Sequence, residues 1–248
     1  ARPYTAARDG TLSIRQRNLN GIRVPWSDGR IINDLQANPA DIVAYSETKA
    51  SFQDLPRPWE MHAQLRALGY KHMTYFASTG AGGKGNYGSM VISRYLMSNL
   101  RYGIGDKGTD TDGRVIRFDT APDIPVVCVY VPCSSLLAPI DQRRVDFDAR
   151  LHKALTDDYK RTGNSPILVG DMNVTASKRD TNIHVTSEGT EFPSCRRHER
   201  EAYQRLLTDL KLTDTWSKFN DNAPEGTGYT WYQSPNDRRM LHLTNDKH

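Results

Sequence analysis

At 248 residues, 37% hydrophobic and 25% charged, the chain can bury a sizeable core and lacks the composition of a disordered protein. Its longest apolar run, Val126 to Val131, is far shorter than the roughly 18 residues of a membrane-spanning helix, so no segment is expected to cross a bilayer. The 33 basic and 29 acidic residues leave a net charge of +4, which permits a polyanionic partner without demanding one.

Cys128, Cys133 and Cys195 are odd in number and lack metal-like spacing, which disfavours a disulfide framework or a zinc site and favours a reducing compartment. The opening, Ala1 to Arg8, has no acid before Asp9, which suits the remnant of an organellar presequence and equally a trimmed chain. Residues 1–11 therefore read as an N-terminal extension. No low-complexity linker divides 12–248, which read as one domain.

In chain order, Leu12-Ser13-Ile14-Arg15-Gln16-Arg17 alternates apolar and polar, as a half-buried strand does, and runs into Asn18-Leu19-Asn20-Gly21. Ile31, Ile32 and Leu35 mark a helix from Arg30 to Gln36, ended by Asn38-Pro39. Ile42 to Ser46 is a strand followed at once by Glu47-Thr48-Lys49. Phe52 to Gly69 holds a loop and a short helix, and Met73 to Phe76 a strand. Gly80 to Gly88 is glycine-rich without the spacing or strand-to-helix setting of a P-loop, so it reads as a connection before the strand Ser89 to Ser93.

Val115 to Phe118 and Val126 to Val131 are two further strands, the second nearly all β-branched, with Pro132 stopping it just after Tyr130. A helix runs from Gln142 to Tyr159, with Phe147, Leu151, Ala154 and Leu155 on one face and its charges elsewhere. Pro166 to Val169 is a short buried strand closed by Gly170, with Asp171 and Asn173 directly after it. In extended backbone these two side chains share one side. They either bond their own backbone in an Asx turn, the commoner outcome for such residues, or face a bound water, metal or phosphate. Asn182 to Arg197 is polar and irregular, and Glu199 to Leu212 is a helix with Tyr203, Leu206, Leu207 and Leu210 at helical spacing. Strands outnumber helices, which favours a sheet-on-sheet core flanked by helices.

Four strand candidates thus end in polar groups: Asn18 with Asn20, Glu47, Tyr130, and Asp171 with Asn173. Gathered on one rim they would form a hard oxygen-donor set suited to magnesium. No serine or cysteine has a visible partner base, so hydrolysis by activated water fits better than covalent catalysis.

Together these segments resemble the exonuclease III branch of the endonuclease/exonuclease/phosphatase superfamily, which contains the apurinic/apyrimidinic endonucleases. Arg17-Asn18-Leu19-Asn20-Gly21 and Ser46-Glu47-Thr48-Lys49 resemble its first two motifs, and Lys84 to Gly88 with Ile92-Ser93-Arg94 its glycine loop and strand. Gly113-Arg114-Val115-Ile116, Val129-Tyr130-Val131-Pro132, Arg144 with Phe147-Asp148, Gly170-Asp171-Met172-Asn173-Val174, Glu199-Arg200, Leu212 to Thr215 and Tyr229-Thr230-Trp231 follow in family order. The resemblance implies an α/β, four-layer sandwich of two mainly antiparallel sheets flanked by helices, and Mg²⁺-dependent hydrolysis of a nucleic-acid phosphodiester, with Mn²⁺ able to substitute. It implies that Glu47, Asn20 and Asp246 serve the metal, that Asn18, Tyr130 and Asn173 support the phosphate, and that Asp171 positions or deprotonates the attacking water. Lys49, Arg144, Lys178 and Arg179 would contact nucleic acid, DNA in preference to RNA. The product would carry a 3′-hydroxyl and a 5′-phosphate, as in abasic-site cleavage and 3′-end cleaning.

Where the family has Trp before the first Asn and Gln before the Glu, this chain has Arg17 and Ser46. Counted onward from Trp231, Asp246 falls on an Asp-Tyr-like motif, in which case the family's final Ser-Asp-His motif is not reached; the other alignment takes Asn245-Asp246-Lys247-His248 as a disrupted Ser-Asp-His and requires a large deletion. The rival expectation is a catalytically impaired member that binds nucleic acid as a structural subunit, for example of an organellar ribonucleoprotein. A phosphatase or lipid phosphodiesterase of the same superfamily fits the Val129 to Pro132 and Tyr229 to Trp231 blocks less well. The setting expected is intracellular, in a nucleus or mitochondrion or in bacterial cytoplasm, with the chain monomeric unless built into a larger assembly.

Overall fold

Apolar residues that run without alternation must be covered on both faces, and that rule places the two central strands. The structure, a computed structural model, describes residues 11–51, 53, 55, 57–79, 85–105, 110–120, 123–135, 140–177, 180–181 and 191–220. Its elements are β1 (Ile14–Asn18), α1 (Arg23–Ser27), α2 (Arg30–Ala37), β2 (Ile42–Ser46), α3 (Pro58–Ala67), β3 (His72–Phe76), β4 (Ser89–Ser93) and β5 (Ser98–Tyr102). There follow β6 (Val115–Thr120), β7 (Ile124–Tyr130), α4 (Gln142–Thr162), β8 (Ile167–Asp171), α5 (Arg197–Asp209) and α6 (Thr215–Phe219). The chain divides into two compact units, residues 1–132 with 146–172, and residues 133–145 with 173–248.

The first unit holds both sheets, in the orders β1-β2-β4-β3 and β5-β6-β7-β8. In each, one outer pair is parallel (β1 with β2, β7 with β8) and the rest are antiparallel. Ile42, Ala44 and Val91 of the first sheet pack with Ile116, Phe118, Val126 and Cys128 of the second. The other face of the first sheet, Val43, Tyr45, Met90 and Ile92, is covered by Ile22, Trp26, Ile31, Leu35, Met61 and Leu65 from α1 to α3 and the turn before α1. β2 is therefore buried at every position, as its unbroken apolar sequence requires. On the outer face of the second sheet lies α4, where Phe147, Leu151, Ala154 and Leu155 are buried. The layers run helix, sheet, sheet, helix, the fold expected.

Three elements were not legible. α1 is a five-residue turn containing Pro25, and α6 is equally short. β5 is an exposed edge strand interrupted by a register shift between Ser98 and Arg101. The helix expected from Glu199 begins two residues earlier, at Arg197, where Glu199 closes a capping box with the backbone of Arg196.

Nor are the charges of α4 confined to its outer face. Asp158 is 1% exposed and Asp119 of β6 is fully buried. Arg161 grips Asp119 through two hydrogen bonds of 2.7 Å, Asn99 donates a third of 2.7 Å, and Arg101 adds one of 3.2 Å. Asp158 accepts from Arg117 at 3.0 Å and from Arg101. Burial pushes the Asp119 carboxyl up, but the Arg161 and Asn99 hydrogen bonds and the Arg161 charge outweigh it, so its pKa lies below the usual carboxylate range. The folded chain thus holds this proton less tightly than the unfolded one. The ionised form stabilises the fold above an ordinary aspartate pKa of about 4, and that stabilisation is lost as pH falls through the depressed value. We expect Asp119→Asn to destabilise the fold by about 3 kcal/mol at pH 7, since it leaves arginines around a neutral group. In thermal melts the gap to wild type should narrow below about pH 4; a gap unchanged by pH would show that the carboxylate charge contributes nothing.

Candidate active site

Period-two alternation carries four strands to one polar end. Ile14, Gln16 and Asn18 lie on one face of β1, as do Ile42, Ala44 and Ser46 on β2, Val126, Cys128 and Tyr130 on β7, and Ile167, Val169 and Asp171 on β8. The apolar members of these sets line the layer between the sheets. Each strand therefore finishes with a polar side chain on the intersheet face, and pairing brings Asn18 level with Ser46 and Tyr130 level with Asp171. At Gly170 (φ 153°) an added Cβ would run into the carbonyl of Val129, so the close approach of β8 to β7 just before Asp171 requires glycine.

Glu47 enters the site by a different route. One residue beyond Ser46, continued extension would turn it to the opposite face; its backbone instead adopts φ 51°, uncommon for a non-glycine residue. Asn20 (φ 47°) and Lys49 (φ 51°) are also left-handed. The two loops fix one another: the Leu19 amide donates to Ser46 at 3.0 Å, Gly21 to Glu47 at 2.7 Å and Ile22 to Thr48 at 2.8 Å. Such conformations persist only where surrounding contacts over-determine them.

Asn18 is the hub. Its Nδ2 donates to Glu47 Oε1 at 2.7 Å and to Asp171 Oδ2 at 3.0 Å, and its Oδ1 accepts the Asn20 amide at 3.0 Å in an Asx turn. Lys49 Nζ pairs with Glu47 Oε2 at 2.9 Å and donates to Asn20 Oδ1. The Tyr130 phenol lies beside Glu47. Burial raises the Glu47 pKa, and hydrogen bonds from Asn18, Lys49 and Tyr130 reverse this, leaving it below the usual carboxylate range. Tyr130, 8% exposed, is pushed well above an ordinary phenol by burial and by the Glu47 charge, so it remains a proton-bearing donor at neutral pH.

Two carboxylates and two carboxamides share this end, all oxygen donors of the hardness that suits magnesium. Among the described residues no three His, Cys, Asp or Glu side chains form a ligand cluster. An ion here would rest on one or two carboxylates with water filling its shell, the manner in which magnesium is commonly held.

Asn173 departs from the extended geometry expected after Asp171. β8 ends at Asp171, and Asn173 has φ 44°, so simple alternation does not carry the two side chains to one side. Asn173 belongs to the second unit, where Arg144 donates to its carbonyl at 2.9 Å. Arg144, expected at a nucleic-acid surface, is 1% exposed. Besides Asn173 it faces Glu199 at 3.8 Å, and Glu199, fully buried, accepts from Ser134 at 2.5 Å and from the Arg196 amide at 3.0 Å. A charge placed this deep shapes the Asn173 turn and offers no surface to a polyanion. Lys178, Arg179 and Asp246 lie outside the described residues, as do the Gly80 to Lys84 stretch and Trp231. Sequence reasoning gave no role to Arg114 or Tyr87, which pack against Tyr130; nothing local marks an arginine for burial.

The chain is similar to known proteins in sequence and in fold. A sequence model of the Endonuclease/Exonuclease/phosphatase family matches residues 18–241. An exodeoxyribonuclease of Bacillus subtilis (strain 168) is 30% identical over 218 residues, spanning 87% of this chain and 77% of the relative. The DNA repair nuclease APEX1 of Danio rerio is 27% identical over 238 residues, 94% of this chain and 71% of its own. Among solved structures, the 3′-5′ exonuclease NExo from Neisseria meningitidis superposes with a TM-score of 0.73 at 26% identity, covering 93% of this chain and 82% of its own.

Proposed function

The chain belongs to the Endonuclease/Exonuclease/phosphatase family, in its exonuclease III and apurinic/apyrimidinic endonuclease branch, and from that premise we propose that it is a magnesium-dependent DNA phosphodiester hydrolase. Its substrates are abasic sites and blocked 3′ ends, and its setting is an intracellular, reducing one. The observation that carries this reading is the double donation of Asn18 to Glu47 and Asp171, which holds two carboxylates from distant parts of the sequence against one amide.

Of the two, Glu47 is the metal ligand and Asp171 the group that orients the attacking water and takes its proton. Asn20 supports the metal side. A magnesium ion bound there would neutralise phosphate charge and favour in-line attack. The Tyr130 hydroxyl donates to a phosphate oxygen. Lys49, 35% exposed at its side chain, supplies a fixed positive charge toward the DNA backbone while keeping Glu47 ionised. Water adds to phosphorus, the bond to the 3′-oxygen breaks, and the products are a 3′-hydroxyl and a 5′-phosphate. With the charged groups preplaced, positioning and electrostatic stabilisation supply most of the rate.

The test is single-turnover nicking of an end-labelled duplex carrying one tetrahydrofuran abasic analogue, with magnesium and with EDTA. The expected result is a metal-dependent cut leaving a 3′-hydroxyl that a polymerase extends. Absence of cleavage with magnesium or manganese overturns the proposal. Salt-sensitive RNA binding without turnover, unaffected by Asp171→Asn, would put a structural nucleic-acid-binding subunit in its place.

A further inference from the structure

Arg114, at the entry to β6, is 2% exposed, yet among the described residues the carboxylate it pairs with, Asp112, is itself 33% exposed at the side chain. Its guanidinium carbon lies 3.8 Å from the centroid of the Tyr87 ring and 4.8 Å from that of Tyr130, and the two rings are 6.2 Å apart at 42°. The backbone doubles the link: Arg114 Nη1 donates to the Tyr130 carbonyl at 3.3 Å, and the Tyr130 amide donates to the Arg114 carbonyl at 2.8 Å. Nε donates to Asp112, a partly exposed side chain, at 3.0 Å. On the other side of the stack, the carbonyls of Tyr87 and Gly88 accept the amides of Lys49 at 2.8 Å and Thr48 at 3.1 Å, the residues that follow Glu47. Gly113, at φ 66°, sits where a Cβ would collide with the carbonyl of Phe76, so the approach that delivers Arg114 requires glycine.

From this arrangement we propose that Arg114 is a positioning residue for the reaction: packed against both Tyr87 and Tyr130, it fixes the ring of Tyr130 so that its hydroxyl meets the phosphate held beside Glu47. The phenol oxygen stands at the far end of a side chain with two torsions. A modest slip there moves it on the order of 1 Å, enough to cost about 100-fold in rate. A planar guanidinium restrains a ring by stacking while also donating to its backbone; a lysine keeps the charge but has neither the plane nor the fork. This role rests on the nuclease reading for what Tyr130 does, but not for where its ring is held.

The experiment compares Arg114→Lys and Arg114→Met, alone and combined with Tyr130→Phe, after melting curves establish that each variant is folded. The readouts are kcat and KM on the abasic duplex, and fluorine NMR of protein labelled with 3-fluorotyrosine, the Tyr130 signal being the one missing from Tyr130→Phe. Arg114→Lys should lower kcat about 10- to 100-fold with KM within about threefold, and change kcat by less than about threefold when Tyr130 is already phenylalanine. Its Tyr130 fluorine signal should shift and broaden. Equal losses with and without the Tyr130 hydroxyl, or an unchanged signal, overturn the proposal. Should the wild-type chain cleave no DNA, the proposed function falls, and the fluorine signal alone decides what Arg114 does.

Discussion

Asp171→Asn should lower the single-turnover rate on an abasic duplex by about 10³-fold, roughly 4 kcal/mol of barrier, with duplex affinity nearly unchanged. The substitution is almost isosteric, so the end of β8 and the 2.9 Å bond from the Val131 amide to the Asp171 carbonyl are kept. What goes is the capacity to take a proton from water. The amide also competes with Asn18, whose Nδ2 now donates to Asp171 Oδ2 at 3.0 Å. Affinity survives because binding of DNA draws on phosphate contacts spread over many basic groups. Quenched-flow cleavage with fluorescence anisotropy on the same duplex separates the two effects. A rate within threefold of wild type would remove Asp171 from the chemistry.

Glu47→Gln should be the second large loss, and it acts through the ion. Its carboxylate is 16% exposed at the side chain and is met by Asn18 and Lys49, with Tyr130 beside it. A neutral amide keeps the length and the bond from Asn18 but gives up the charge that attracts a divalent cation. Partners one shell away from a metal already cost about 10- to 100-fold in affinity, and a direct ligand should cost more. Calorimetric titration with manganese reads this without turnover, and cleavage should require far higher metal concentration. Because the Glu47 pKa lies below its ordinary value of about 4.3, protons compete with the metal only in acid, so affinity through Glu47 should hold constant from neutral pH down to about pH 5. Wild-type metal affinity in Glu47→Gln would place the ion elsewhere.

The layers and the strand ends were legible in one dimension. The unbroken apolar runs of β2 and β7 state that both faces are covered, and the helix-spaced apolar residues of α4 state what covers the second of them. The polar residues that close β1, β2, β7 and β8 were legible because side chains alternate with a fixed period of two. Knowing where a strand stops therefore fixes which residue points out of its end. Conversely, β5 went unseen because an exposed edge strand is under no pressure to be apolar, and its register shift spoils the alternation.

Which polar groups meet was settled by the folding of the chain in three dimensions. Glu47 reaches Asn18 because two loops, hydrogen-bonded to each other, force a left-handed backbone that its local sequence does not demand. Arg144 read as a nucleic-acid contact and Arg114 had no role assigned, yet both are buried, one in the turn at Asn173 and one against two tyrosine rings. Periodicity is a local property and survives in one dimension. The depth of a charge and the partner that compensates it depend on residues far away in the chain, and these become neighbours only after the strands have paired.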